Sequence, residues 1–492
     1  MRILHTADWH FGKTLEGRDR LPEQAEFVDE LVRICDEEAV QLVLMAGDVF
    51  QTVNPSAEAE ELFYEALDRL AAGGRRAVVV IAGNHDNPER IAAPTPLADR
   101  LGITLIGRPH DELTPSPRWV AGGEAPSREA PSGGGPSGEG SSATAFPETA
   151  YGHARRGERI ASRRVQRVAA GPSWLELAIP ECPHTAVIAA LPYPSEARLR
   201  EWLTQSLDEA DLQKSYSERI ARLFSHLASH YRPDTVNLAM SHLFVQGGIE
   251  SESEIPIQVG GTYAVAPDAF PKTAQYVALG HLHRPQVMAS GPVPVRYAGS
   301  PLAYSFSEVG YAKSVTLVDV LPGQPAKVQE IHLSAGRPLV RWQARGGLPE
   351  VMRWVEEGRD KQAWIDLEIH LTDALSIQDA QRLRQLHPGF VSIRPVFVQS
   401  GEATTQEERE NLSIDELFVR FYERQRGGKP DEGLVRLFLE LTAEGTDAGD
   451  DPDAEADDGL ASAPYARATD VLSGNEEASA ALELDGKGGQ GS

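Results

Sequence analysis

Five short apolar runs in this chain each end in residues that can hold a metal ion. "RILHTADWH" (2–10) runs into Asp8 and His10, "VQLVLMAGD" (40–48) into Asp48, and "AVVVIAGNHD" (77–86) into Asn84, His85 and Asp86. "TVNLAMSH" (235–242) ends on His242, and "QYVALGHLH" (275–283) on His281 and His283. Apolar runs of this length, bounded by turn residues, read as buried strands. Residues 20–38 and 56–72 lie between the first three runs and have the apolar spacing of helices. Strands alternating with helices predict a layered α/β domain. Side chains at the carboxyl ends of strands in one sheet can converge on one crevice.

The first run has a second reading. Ala7–Thr14, "ADWHFGKT", nearly fits a phosphate-binding loop, ending in Gly12-Lys13-Thr14. Such a loop wraps phosphate with backbone N–H groups and favours small residues. Asp8, Trp9 and His10 are bulky, and Asp8 would repel phosphate. On an extended chain residues i and i+2 point the same way, so Asp8 and His10 can grip one ion.

Taken singly, each piece is ordinary: a His after a strand is usually a hydrogen-bonded turn residue. Together they form a donor set of carboxylate, amide and imidazole without thiolate, which suits Mn²⁺, Fe²⁺ or Zn²⁺. A set of this size exceeds what one ion with open positions needs. Two ions sharing one carboxylate, about 3.5–4 Å apart, would bracket a displacement at phosphorus. The set therefore points to phosphoester hydrolysis. His5 falls inside the first run and reads as structural.

A net charge of −26 over 492 residues excludes a protein that coats nucleic acid by bulk charge. Residues 445–492 hold 12 acidic and 2 basic residues, a net of −10, which leaves −16 on the rest. Metal ions can still make one site locally positive. Cys35 and Cys182 are the only cysteines, so neither a disulfide framework nor a cysteine zinc site is expected. No run approaches a membrane span and "MRILHTAD" is not built as a signal peptide, so a cytoplasmic protein is expected.

Residues 109–170 break the strand–helix rhythm. Within 121–145, 20 of 25 residues are Gly, Ser, Pro or Ala, too little apolar surface to fold. Arg155, Arg156, Arg159, Arg163, Arg164 and Arg167 follow. They read as a solvated, mobile insertion, or alternatively as a basic arm for DNA phosphates. "WLELAIP", "TAVIAALPYP", "VRYAGSP" and "SVTLVDV" restore the strand pattern, and a small α+β unit is expected over 330–398. A polar linker leads to two helices over 412–443, the first opened by a Ser413/Glu416 capping box. The acidic tail over 445–492 is expected to be disordered.

"DWH", "GD", "GNHD", "SH" and "GHLH", in this order, resemble the calcineurin-like metallophosphoesterase superfamily. "ILHTADWHFGKTLEGRDR", "GDVFQTVNPS", "GNHDNPER" and "YAGSPLAYSFSE" resemble its SbcD branch, the nuclease subunits of SbcCD double-strand-break repair complexes. The resemblance spans roughly residues 1–444 apart from the insertion. It implies an α/β fold: a four-layer αββα sandwich over 1–325, a small α+β capping domain and a C-terminal helix pair. It implies two divalent ions, Mn²⁺ first. Asp8, His10 and His283 would hold one, Asn84, His242 and His281 the other, and Asp48 would bridge them. His85 would act on the leaving oxygen, and Asp86 is expected to hold the His85 ring. Some relatives carry a second His three residues after the bridging Asp; here that position is Gln51.

The implied substrates are double-stranded DNA ends and hairpins. The implied partner is an SbcC-like ATPase docked through 412–443, with a homodimer of this chain inside a heterotetramer, in the cytoplasm beside the nucleoid. No convincing ATP site lies in this chain, so the ATPase must be a partner. The alternatives are a phosphatase of the same superfamily, or a scaffold that has lost its chemistry.

Overall fold

The computed structural model describes residues 1–116, 163–199, 215–255, 263–371, 377–397, 413–426 and 430–444. The chain divides into one unit over Met1–Gly401 and another over Glu402–Ser492. The described strands, in chain order, are β1 (Arg2–Thr6), β2 (Leu42–Ala46), β3 (Ala77–Ile81), β4 (Ile103–Ile106), β5 (Gln166–Gly171), β6 (Trp174–Ala178), β7 (Ala186–Leu191), β8 (Val236–His242), β9 (Tyr276–Gly280), β10 (Gln286–Val287), β11 (Val295–Tyr297), β12 (Ser314–Asp319), β13 (Lys327–His332), β14 (Leu339–Ala344), β15 (Trp364–Leu371) and β16 (Phe390–Phe397).

They form a six-stranded sheet, β13-β12-β1-β2-β3-β4, a seven-stranded sheet, β10-β11-β9-β8-β7-β6-β5, and a three-stranded sheet, β14-β15-β16. Strands β1 to β4 run parallel, as do β7, β8 and β9. Alternation along these strands builds the layers. Leu4, Val43, Met45, Val78 and Val80 face the helices Leu21–Glu37 and Ala57–Ala71. Their neighbours Ile3, Leu42, Leu44, Val79 and Ile81 face Leu175, Ile188, Leu238 and Met240 of the second sheet. The far side of the second sheet meets helix Tyr216–Leu227 through Ile220, Phe224 and Leu227. The order is helix, sheet, sheet, helix, which is the expected αββα sandwich.

His5 is structural, as expected. Its ring bridges the two sheets, with Nδ1 2.9 Å from the Tyr276 hydroxyl and Nε2 3.1 Å from the Leu279 carbonyl. Burial holds its imidazole down to about 3, so it stays neutral.

Three features differ from the sequence expectation. The first sheet continues through β13, past the expected limit at 325. The third sheet has its own core around Trp342, Ile365, Leu367 and Phe390, yet Trp364 Nε1 donates to Glu23 Oε1 at 2.8 Å across to the first helix. The insertion is also narrower than expected, because β5 lies inside it. Arg167 is buried, pairing with both Asp99 oxygens at 2.9 Å, and cannot belong to a solvated arm. Burying a guanidinium requires such a partner, and Asp99 is too distant in sequence for any local pattern to reveal it. Arg155, Arg156, Arg159 and the stretch 121–145 lie outside the described residues, as does the acidic tail.

The second unit contains the helices Ile414–Arg426 and Glu432–Glu444. The first starts where the capping box places it, with Ser413 N donating to Glu416 Oε2 at 3.2 Å. Among the described residues no helix is long and apolar enough to cross a membrane. Cys35 and Cys182 are buried, free thiols.

Candidate metal centre

The chain leaves β1, β2, β3, β8 and β9 at the residues singled out in the sequence. The turns after β1 and β2 are laced together: Asp8 N donates to Gly47 O and His10 N to Asp48 O, both at 3.0 Å. Each chain must also bend sharply at the sheet edge. Asp8 (φ 54°), His10 (φ 47°), Asp48 (φ 52°) and His281 (φ 109°) all have positive φ. Such backbone costs about 1–3 kcal/mol per residue and persists only where surrounding structure imposes it. Here the strain falls on four of the residues with ligand chemistry.

The turns bring those side chains to one point. Asp8, His10 and His283 offer ligand atoms within 4.8 Å of one another; so do His10, Asp48 and His85, and so do Asp8, Asp48 and His242. Asp48 is central: its Oδ2 lies 3.4 Å from His242 Nε2, 3.6 Å from His10 Nε2 and 3.9 Å from His85 Nε2. His10 Nε2 and His283 Nε2 face each other at 2.9 Å. Asn84 Oδ1 reaches His242 Nε2 at 2.8 Å, and the His281 and His242 rings are 5.5 Å apart. All seven expected ligands therefore lie in one neighbourhood, six of them buried and Asn84 partly so.

The donor set fits cations. Asp8 Oδ2 and His281 Nε2 are buried with no hydrogen-bond partner. A buried unsatisfied polar group costs about 1–3 kcal/mol, and a divalent ion accepting these lone pairs removes that cost. Burial holds the His10, His281 and His283 imidazoles below their ordinary value, in the neutral state a metal requires. Burial also holds the Asp8 carboxyl well above the usual range. It acts the same way on Asp48, but neighbouring His242, then His10 and His85, pull that carboxyl well below it. His242 is the converse: burial disfavours its charge, yet Asp48 lifts it to about 9. Its Nδ1 donates to Ala46 O at 2.9 Å, so the second proton sits at Nε2, between Asn84 Oδ1 and Asp48 Oδ2. His242, Asn84 and Asp48 could hold a cation there, which would take that proton's place.

Two glycines permit this approach. Gly47 has φ 89°, and a Cβ there would lie 2.5 Å from His242 Nδ1. A Cβ on Gly280 would strike the Ala46 carbonyl oxygen and lie 2.9 Å from His242 Nδ1. Gly280→Ala is expected to destabilise the fold by about 1–3 kcal/mol, as overpacking does, and to weaken metal binding by displacing His242. Denaturant unfolding and metal titration check both effects.

One expected role changes. Asp86 does not touch the His85 ring; its carboxylate accepts from the backbone N–H groups of Gly83 (2.8 Å), Phe50 (3.0 Å) and Val49 (3.1 Å). It ties the turns after β2 and β3 together, where those unpaired N–H groups outcompete a ring. The His85 ring is held instead by the Gln51 carbonyl, 2.8 Å from Nδ1. Gln51 thus supports His85 through its backbone. The phosphate-loop reading of 7–14 also fails, since Asp8 and His10 point into the cluster and Lys13 Nζ donates to Ser253 O at 3.1 Å. Sequence reasoning missed the groups behind His283, namely Ser253, Glu254, Glu308 and Lys313. Of these, only Glu308 falls within a family-like stretch, "YAGSPLAYSFSE".

Comparisons with known proteins identify the family. Residues 1–124 match the family model for calcineurin-like phosphoesterases, and residues 335–426 match the one described as the type 5 capsule protein repressor C-terminal domain. The SbcD subunit of the SbcCD nuclease from Bacillus subtilis (strain 168) is 46% identical over 444 residues, covering 90% of this chain and 98% of its own. The protein of the same name from Rhodobacter capsulatus is 34% identical over 362 residues, covering 72% and 74%. A dimetal phosphatase structure from Danio rerio aligns at 12% identity and a TM-score of 0.33, covering 68% of this chain and 99% of its own, too distant to bear on the site. Near-complete alignment with a curated relative at that identity, on a sandwich whose strand ends gather carboxylate and imidazole, places this chain in the SbcD family of metal-dependent nucleases.

Proposed function

We propose that the cluster holds two divalent ions, Mn²⁺ by preference, and that the chain cuts double-stranded DNA at ends and hairpins with an SbcC-like ATPase. The observation that carries this reading is the shared position of Asp48 among three imidazoles, beside the Asp8, His10 and His283 group. Asp8, His10 and His283 are assigned to one ion, Asn84, His242 and His281 to the other, and Asp48 to both. Two ions held there would supply charge stabilisation at phosphorus and activation of a water. His85, with Nδ1 on the Gln51 carbonyl, keeps Nε2 for the substrate side, where it can stabilise or protonate the leaving oxygen. An active homodimer within a heterotetramer, in the cytoplasm beside the nucleoid, completes the reading. Purified protein is expected to cut blunt and hairpin duplexes with Mn²⁺, and the ATPase with ATP to extend the range of substrates. Hydrolysis of a phosphomonoester with DNA left intact would overturn it in favour of a phosphatase, which nothing in the comparisons supports.

The helix pair is assigned to the ATPase, with a change of anchors. Phe418 and Phe438 stack on each other at 4.1 Å and 9°, so they hold the two helices together. Ile414, Leu417 and Phe421 are exposed along one helix face, and Leu437 on the other helix. Helix-in-groove binding rests on a few such apolar anchors. Leu417→Glu with Phe421→Glu is expected to abolish co-purification with the ATPase. Mn²⁺ cleavage of short DNA without ATP should survive. Retained ATPase binding by that double variant refutes the docking assignment.

A further inference from the structure

Away from His10, which faces its Nε2, His283 is held by residues that no ligand assignment includes. Its Nδ1 lies 2.5 Å from Ser253 Oγ, and Ser253 Oγ lies 2.8 Å from Ser251 Oγ. Ser251 Oγ donates to Glu254 Oε2 at 2.6 Å, and Ser251 N donates to the same oxygen at 2.6 Å. The other Glu254 oxygen, Oε1, accepts from His283 N at 2.7 Å. The circuit closes on the residue where it began. On the opposite side Lys313 Nζ donates to His283 O at 3.0 Å and to Ser300 Oγ at 2.8 Å, and it pairs with Glu308.

The proton order in this chain follows from its end group. Buried Glu254 accepts two N–H groups, and as a carboxylate it can only accept. The Ser251 hydroxyl therefore gives its proton to Glu254 and offers a lone pair to Ser253. Ser253 gives its proton to Ser251 and offers its lone pair to His283 Nδ1. Nδ1 must then carry the ring proton, which leaves the lone pair on Nε2, the atom facing His10 Nε2. Metal-binding histidines commonly gain orientation and tautomer from such an outer partner.

We propose that Ser253, Ser251 and Glu254 form a positioning relay that fixes the His283 tautomer and presents Nε2 to a metal ion. The relay rests on the assignment of His283 as a ligand. None of the three side chains bonds to Asp48, and their hydrogen bonds reach the ligand set at His283. Lys313 holds the His283 carbonyl, and Glu308, paired with Lys313, brings Oε1 to 3.8 Å from His283 Nδ1, where its charge also favours a proton on that nitrogen; the relay supplies the direct hydrogen bond there.

The test compares Ser253→Val with Ser253→Thr in the full chain; the two have nearly the same shape and differ by one hydroxyl. Metal-free protein is titrated with Mn²⁺ and free Mn²⁺ is read by electron paramagnetic resonance. Ser253→Val is expected to weaken one of two sites by about 10–100-fold, as loss of an outer partner does, with the other site unchanged. Ser253→Thr should match wild type. Ring ¹⁵N resonances of His283 in metal-free protein should report the Nδ1–H tautomer in wild type and Ser253→Thr, and a mixture in Ser253→Val. Glu254→Gln, whose amide no longer demands a donor, should shift the same resonances. Wild-type affinity in Ser253→Val, with one site lost in His283→Ala, overturns the relay alone. Two intact sites in His283→Ala overturn the ligand assignment and the relay with it.

Discussion

Asp48→Ala is expected to reduce Mn²⁺-dependent DNA cleavage by roughly 10³-fold or more, the equivalent of about 4 kcal/mol in the barrier. The size of the effect follows from one carboxylate serving several neighbours. Its Oδ2 is within 3.9 Å of the ring nitrogens of His10, His85 and His242, and its Oδ1 accepts from His85 N at 3.0 Å. Removing it separates the two proposed ligand groups and takes away the charge that both would share. The sheets should remain, because the residues between them are mostly apolar and their packing does not involve Asp48. Metal content by mass spectrometry should fall while the circular dichroism spectrum stays native. Substantial cleavage by Asp48→Ala would sink the two-metal reading.

His85→Ala is expected to retain both ions and lose about 10²–10⁴-fold in turnover, the usual contribution of a positioned acid or base. The geometry also allows a competing role, since His85 offers a ring nitrogen within 4.8 Å of the ligand atoms of His10 and Asp48. The choice rests on the distance from Asp48. The Gln51 carbonyl fixes the ring so that only Nε2 faces the cluster, and that atom stands farther from Asp48 than the corresponding atoms of His10 and His242. Metal content measured beside turnover separates the roles. Loss of one ion in His85→Ala would make it a ligand.

Asp86 shows why some contacts escape sequence reading. Adjacency to His85 suggested that the carboxylate serves the ring. In the fold, the backbone at Val49 and Phe50, far away in sequence, reaches Asp86 first. The same holds for Arg167, whose partner Asp99 lies across an insertion, and for β13, whose exposed residues carry no core pattern but whose ladder with β12 is complete. Phe418 and Phe438 fit the apolar stripes of two helices equally well as outward anchors or as a mutual stack. Only the packing of one helix on the other decides which.

Short-range chemistry by itself determined much of this protein. Apolar runs ending in Asp, Asn or His marked the strands and placed seven candidate ligands at their ends, because burial pattern and turn chemistry act over a few residues. Helix starts were likewise legible at Ser413, where the cap is local. Tertiary structure alone decided which strands of two sheets come together, and which atoms stand behind each ligand. Ser253, Glu254, Glu308 and Lys313 carry no recognisable spacing relative to His283. Their partnership exists only once a folded chain has excluded water and left each buried polar group to find a donor or acceptor among whatever segments surround it.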